Sequence, residues 1–408
     1  MTVSAPGILS AKTVQRMRRP DKLGSPAPVS APRIEKINAM RQAGGPLAGA
    51  WSALVNDNDP TRSAPYTYDR IPGGVVNPYV LPNVYDTASE TLYNTNIQKI
   101  RYDGIAAYNF ALRYAIAGDT AAAAAAVAQI DPWLGVNDFD LPSGSDTRLS
   151  WSNTWPLFIA AGMMLRGSAA WTTGRENGLK AVTQLALTRN ISTSANASNQ
   201  GAWGVVFELA AAAQLEDSVR FAGAVSRWRA LLDDSTGVIA AGHTWCNVYL
   251  GIPNDPGTGQ PPPQYADCAC PCHSGPNVPT HEVHRQSGGQ GNGSSGLYYS
   301  DFLLTALTYG AEWARFNGVW LYDYVTPGGS SLKGVYEKIA GWCRNPATFT
   351  YNTSGSVVPR ANTFGAYEIL NALWPNDDAA WILANKPFND VYSLKYLTLT
   401  HRGQELRG

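Results

Sequence analysis

From Tyr93 onward, apolar residues recur at the three-to-four-residue spacing of a helix that buries one face, without the strict alternation of a strand. The clearest run is Ile97, Ile100, Ile105, Tyr108, Leu112 and Ile116, closed by Gly118-Asp119. The same period predicts helices over Tyr93–Ala117, Ala121–Ile130, Trp151–Thr173, Glu176–Thr188, Gly201–Leu215 and Asp217–Asp233. It continues over Tyr298–Asn317, Leu332–Arg344, Thr363–Leu373 and Asp377–Ala384. Several are joined by short turns at Gly118-Asp119, Thr173-Gly174 and Glu216-Asp217. Antiparallel helix pairs with no sheet to cover must bury their faces on one another, as in an α/α toroid or an α-solenoid. No repeat of fixed period runs through the chain, which counts against a regular solenoid. The expected fold is therefore all-α, an incomplete α/α toroid of helical hairpins.

Residues 1–50 are rich in Pro, Ser and Gly with scattered cations (Arg16, Arg18, Arg19, Lys22). They read as an extended N-terminal arm with one short helix around Ile34–Gln42. Such an arm docks onto a protein partner or a sister subunit, or is a plain tail. Residues 51–408 form the expected toroid domain, beginning with an irregular, Pro- and Tyr-rich wrap over 60–88. No apolar run in Met1–Ser30 has the length of a secretory leader, and none elsewhere approaches the roughly 18 residues of a membrane span. The expectation is a chain without membrane insertion, extracellular or virion-associated, with the cytoplasm left open. Lys and Arg total 31, as do Asp and Glu. With no net field to draw in nucleic acid, any hold on an anion must be local. Thirteen Trp and twenty Tyr against ten Phe favour rings with a polar handle, and as a set they suit a glycan surface.

Between about Thr236 and Gly296 the helical period stops, and this loop carries four of the five His and four of the five Cys. A long interruption of this kind in a compact domain is commonly functional. Cys268, Cys270, Cys272 and His273 have the composition of a metal site at cramped spacing. A structural zinc, a disulfide to Cys246 or Cys343, and free thiols all remain open, and no cofactor is expected for catalysis.

Two segments carry candidate chemistry. In Ser198-Asn199-Gln200-Gly201-Ala202-Trp203 a helix begins, and Asn199 either caps it or donates to an anion drawn to the helix N-terminus. In His281-Glu282-Val283-His284-Arg285 the guanidinium offers a fork for a carboxylate, with Glu282 as its i,i+3 partner. A glycine-rich run, Gly288–Gly296, follows; it reads as too flexible to pack and lacks the Lys-Ser/Thr of a phosphate loop. Tyr298-Tyr299 then opens the next helix.

In these segments the chain resembles the alginate-lyase-like polysaccharide lyases. The likeness continues through Ala311-Glu312, Gly318-Val319-Trp320-Leu321-Tyr322, Trp151–Leu165, Phe364–Trp374 with Glu368, and Lys395-Tyr396-Leu397-Thr398-Leu399. It implies β-elimination beside a uronic acid in an acidic polysaccharide. The C5 proton is α to a carboxylate, so its removal needs groups that neutralise the developing enediolate. On the family pattern Asn199 and Arg285 do this, and Tyr298 or Tyr299 takes the C5 proton and protonates the leaving O4. A tyrosine, ordinarily titrating near ~10, needs a cation beside it to serve as base, and Arg285 is that candidate. Where the family often has His after the motif Asn, this chain has Gln200, so His281, His284 or His243 is needed if an imidazole takes part. Gln200, Trp203, Glu282, His281 and Trp151 are the expected substrate contacts. A virion-borne depolymerase is the expected setting. The alternatives are a glycoside hydrolase, with Asp146, Glu208, Asp301 and Glu368 as candidate carboxylates, and a non-catalytic glycan-binding or structural virion protein.

Overall fold

The computed structural model describes residues 35, 37–39, 46–56, 75–81, 90–140, 145–196, 198–236, 276–279, 282–286, 289–290, 292–355, 364–385 and 400–401. Eleven helices are named among them. They are α1 (Pro46–Asn56), α2 (Glu90–Ala117), α3 (Thr120–Ile130), α4 (Ser145–Leu165), α5 (Thr173–Thr188) and α6 (Ser198–Leu215). They continue with α7 (Ser218–Thr236), α8 (Gly296–Phe316), α9 (Leu332–Arg344), α10 (Ala366–Leu373) and α11 (Asp377–Asn385). Strand is confined to two-residue pieces. β1 (Tyr79–Val80) pairs parallel with β2 (Phe139–Asp140), and β3 (Arg285–Gln286) pairs antiparallel with β4 (Gly289–Gln290).

The packing has two layers. Helices α2, α4, α6 and α8 each pack on the next, and α3, α7 and α9 pack against α2, α6 and α8 from outside. An α/α toroid is the result. Layer position follows from side-chain character. Helix α6 is buried almost all the way round, from Asn199 to Gln214, and its Ala210–Ala213 run lets three neighbours approach closely. Helix α9 instead divides into a buried face (Val335, Tyr336, Ile339, Trp342) and an exposed one, as an outer helix must.

Helix ends follow local chemistry. Asp119 caps α3 through Ala122 N–H, Thr172 caps α5 through Arg175 N–H, and Ser331 caps α9 through Gly334 N–H. The structure corrects one expected helix. The period read as a single helix over Trp151–Thr173 belongs to α4, which starts at Ser145 and stops at Leu165, and to the start of α5. Gly167 turns the chain at φ +89°, and Thr173-Gly174, expected as a turn, forms the first turn of α5. At the arm, α1 runs across residue 50, and Ile37 and Leu54 are buried in the common core. Within the long loop, Asn277 reaches the entry to α9: its N–H donates to Ser330 Oγ and its Oδ1 accepts from Ser331 N–H. No described helix is long and apolar enough to cross a membrane.

Candidate active site

Inner helices α6 and α8 bring their N-terminal turns together at one mouth of the toroid. Ser198 enters α6 at φ +63°, a left-handed conformation that costs a non-glycine residue about 1–2 kcal/mol. Beyond it, the Asn199 backbone N–H and its side-chain Nδ2 both donate to Glu282 Oε1, each at 2.8 Å. A carboxylate from 83 residues along the chain thus occupies the N-terminus of α6, where an anion is favoured. Glu282 is fully buried. Burial pushes its pKa up, against the pull of the Arg285 charge and the hydrogen bonds from Asn199 and Ser198.

The other carboxylate oxygen of Glu282 lies 4.0 Å from Arg285 Nε. Arg285 begins β3, and the β3–β4 hairpin turns the chain back so that Ser295 N–H donates to Arg285 carbonyl oxygen at 2.9 Å. Helix α8 starts at once after this bond, so the hairpin sets Arg285 against its first turn. There the Arg285 guanidinium carbon lies 4.4 Å from the ring centroid of Tyr299, a cation–π stack. Tyr299 meets Tyr298 edge-on at 5.2 Å, Tyr298 stacks on Phe302 at 6.1 Å, and Phe302 contacts Trp203 at 5.1 Å. Asn199, Glu282, Arg285, Tyr299, Tyr298, Phe302 and Trp203 therefore form one closed path between the two helices.

The described part of the glycine run that looked too flexible to pack is packed. Gly289 lies in β4, and a Cβ on Gly296 would run into the carbonyl of Val283 and the ring of Phe349. Glycine serves close approach here, letting the hairpin lie against the start of α8.

The comparisons with known proteins follow this geometry. A family model described as alginate lyase matches residues 280–349, the stretch holding Glu282, Arg285 and Tyr299. Alginate lyase A1-III from Sphingomonas species A1 superposes with a TM-score of 0.65 at 13% identity, over 95% of this chain and 99% of that one. A variant of alginate lyase A1-III complexed with a tetrasaccharide gives 0.64 at 14% identity, over 95% and 99%. Its fold is that of the alginate lyases. An alginate lyase from Bacteroides ovatus adds a TM-score of 0.61 at 13% identity, over 93% of this chain and 99% of that one. No curated protein matches the sequence.

This alginate-lyase-like toroid gathers some of the expected residues and disperses others. Trp151 and Trp203 do not offer faces to a sugar: both are fully buried. Trp151 stacks on Trp155 at 4.2 Å, and Trp203 packs on Phe302 and Tyr309. Glu282, expected to contact substrate, is likewise sealed from solvent. The Gln200 side chain accepts from Asn196 Nδ2 at 2.9 Å, and its carbonyl accepts from the Thr193 hydroxyl, so it ties the preceding loop to α6. His284 is half-buried and meets the Tyr351 ring edge-on at 5.4 Å; burial lowers its pKa and favours the neutral ring. His243, His281, His273, Cys246, Cys268, Cys270 and Cys272 lie outside the described residues, as does the side chain of Asp146. Among the described residues no cluster of three or more His, Cys, Asp or Glu could hold a metal, and the buried Cys343 sulfur accepts from the Tyr367 hydroxyl at 3.9 Å. Phe302 was not anticipated, although its place one turn beyond Tyr298 was a usable signal.

The echoes Ala311-Glu312 and Gly318–Tyr322 have a separate, structural explanation. Fully buried Glu312 receives Arg315 through Nε at 2.9 Å and Nη2 at 2.7 Å, together with the Tyr322 hydroxyl and His401 Nε2 at 3.0 Å. Burial alone would raise its pKa, but His401 and Arg315 together bring it down to about 2.

Proposed function

We propose that the chain is a polysaccharide lyase that cleaves an acidic, uronate-containing polysaccharide by β-elimination. The observation that carries this reading is Arg285 stacked on Tyr299 at 4.4 Å, with Asn199 held in the same assembly. The substrate carboxylate meets the Arg285 guanidinium and the amide hydrogen that Asn199 retains beyond the one given to Glu282. The guanidinium charge and the amide hydrogen bond offset the negative charge that grows as the C5 proton leaves. Tyr299 oxygen takes that proton, the C5–H electron pair becomes the C4=C5 double bond, and the C4–O4 bond breaks. Its electron pair leaves with O4, which is then protonated by the tyrosine. Tyr299 is favoured over Tyr298 because it is the ring beneath the guanidinium, whereas Tyr298 lies parallel to Phe302, with 14° between the planes.

The hydrolase alternative gains nothing from the described carboxylates. Asp301 and Glu368 are buried, and Glu208 accepts from the Ser194 hydroxyl. A binding-only role keeps one specific observation, since the position after Asn199 holds an amide tied to Asn196 instead of a base. Ultraviolet absorbance of the unsaturated uronate decides between these, measured over alginates, hyaluronan, pectate and bacterial capsules. A rise that Arg285→Ala and Tyr299→Phe abolish establishes the lyase; reducing ends without that absorbance mean hydrolysis, and silence on every polymer leaves binding. The virion-borne depolymerase role rests on the sequence reading alone, and co-sedimentation of the chain with particles tests it.

A further inference from the structure

Two glutamate–arginine pairs in this chain share the i,i+3 spacing and differ in what the carboxylate does. Glu312 closes on Arg315: both of its oxygens accept from Nε, at 2.9 and 3.2 Å, and Nη2 donates at 2.7 Å. Glu282 is as deeply buried, yet its Oε2 accepts no hydrogen bond and stands 4.0 Å from Arg285 Nε. A buried carboxylate oxygen without a donor is costly, and a native site that keeps one calls for a reason. The reason is visible on the other oxygen, which takes both donors of Asn199. Glu282 therefore touches the two carboxylate-neutralising residues of the site at once, one by hydrogen bonds and one by charge. Being fully buried, it is shielded from any polymer in the mouth.

We propose that Glu282 is the positioning residue of this site, fixing Asn199 and Arg285 relative to each other and to Tyr299 so that the substrate carboxylate meets them as one preset unit. The inference rests on the lyase reading above. It differs from a substrate-contact role, because Glu282 acts only through its two partners.

The test compares the whole chain with Glu282→Gln, Glu282→Asp, Arg285→Lys and the Glu282→Gln/Arg285→Lys double variant, on whichever polymer the wild type cleaves. Glu282→Gln is expected to lower kcat roughly ten- to a hundredfold with KM changed less than about threefold, as for a misplaced group that matters in the transition state. Glu282→Asp, which keeps the charge, should fall between it and the wild type. In the Arg285→Lys background, Glu282→Gln should add less than about a further twofold, because the two changes act on one unit. Melting temperatures are read alongside. Wild-type kcat in Glu282→Gln, fully additive losses, or losses that merely track a lowered melting temperature in both Gln and Asp variants would each overturn the proposal. Should the Gln variant not fold, the Asp variant carries the same comparison. If the wild type cleaves nothing, the lyase reading falls by itself. Calorimetry with an alginate tetrasaccharide then reads the positioning role: equal, non-additive losses of affinity in Glu282→Gln and Arg285→Lys support it, and unchanged or absent binding overturns it.

Discussion

Tyr298 and Tyr299 are neighbours on one helix turn, yet only Tyr299 lies beneath the Arg285 guanidinium. Tyr299→Phe is therefore expected to reduce initial rates by about 10²–10⁴-fold, the range of a lost general acid–base, with melting temperature unchanged. Tyr298→Phe keeps the ring on Phe302 and should stay within about tenfold of wild type on the same assay. At Gly296 the prediction concerns space: an added Cβ meets the Val283 carbonyl, so Gly296→Ala should cost about 1–3 kcal/mol in denaturant unfolding. It should also lower activity, because the same contact seats the hairpin that carries Arg285. Arg285 and Asn199, expected from their chemistry, and the tyrosine pair, expected from the family likeness, lie in one assembly in the structure. Trp151 and Trp203 did not betray their burial, since an indole that packs a core and one that holds a sugar are the same letter. The glycine run was misread for a related reason, because glycine marks freedom and tight approach alike.

Most helices were legible because a 3.6-residue apolar period over ten or more residues is hard to produce otherwise. Leu332–Arg344 was read to the residue, with its buried face and its Ser331 cap both written locally. That cap gives an element-scale prediction: Ser331→Ala should cost about 1 kcal/mol, seen as a lower urea midpoint with an unchanged slope. The α4–α5 junction was lost because the apolar period carries across the turn at Gly167, and the positive φ that ends the helix is not a sequence pattern. The β3–β4 hairpin was missed as well. Two residues per strand give no period to detect, and its effect is to bring Arg285, 14 positions before Tyr299 in number, onto that ring.

Across the whole molecule, two of the buried glutamates, Glu312 and Glu282, pull stability in opposite directions with pH. Glu312 titrates at about 2 in the fold, against roughly 4.3 for a free glutamate. Its contribution is present above that free value and is lost as pH falls from about 4 toward 2. Glu312→Gln should flatten acid unfolding in that window and cost about 3–5 kcal/mol at neutral pH, as for a broken buried pair. Activity per folded molecule should persist, since Glu312 lies 13 residues along α8 from Tyr299, roughly 20 Å at 1.5 Å per residue. Glu282 has its pKa raised, so its ionisation costs stability as pH rises above the free value. Glu282→Gln should accordingly hold or raise the melting temperature at neutral pH while lowering turnover. The toroid itself was legible from helix pairing; the joining of Asn199 to Glu282 was not, because no local pattern announces a hydrogen bond across 83 positions. That separation has a consequence during synthesis. A nascent chain that has just released α7 from the ribosome already holds the sequence of helices α2 to α7, while the carboxylate that finishes the N-terminus of α6 is still untranslated. Domains form as their contacts become available, so the Asn199–Glu282 contact is among the later ones to form, and a chain that stalls before residue 282 leaves the N-terminus of α6 without that carboxylate.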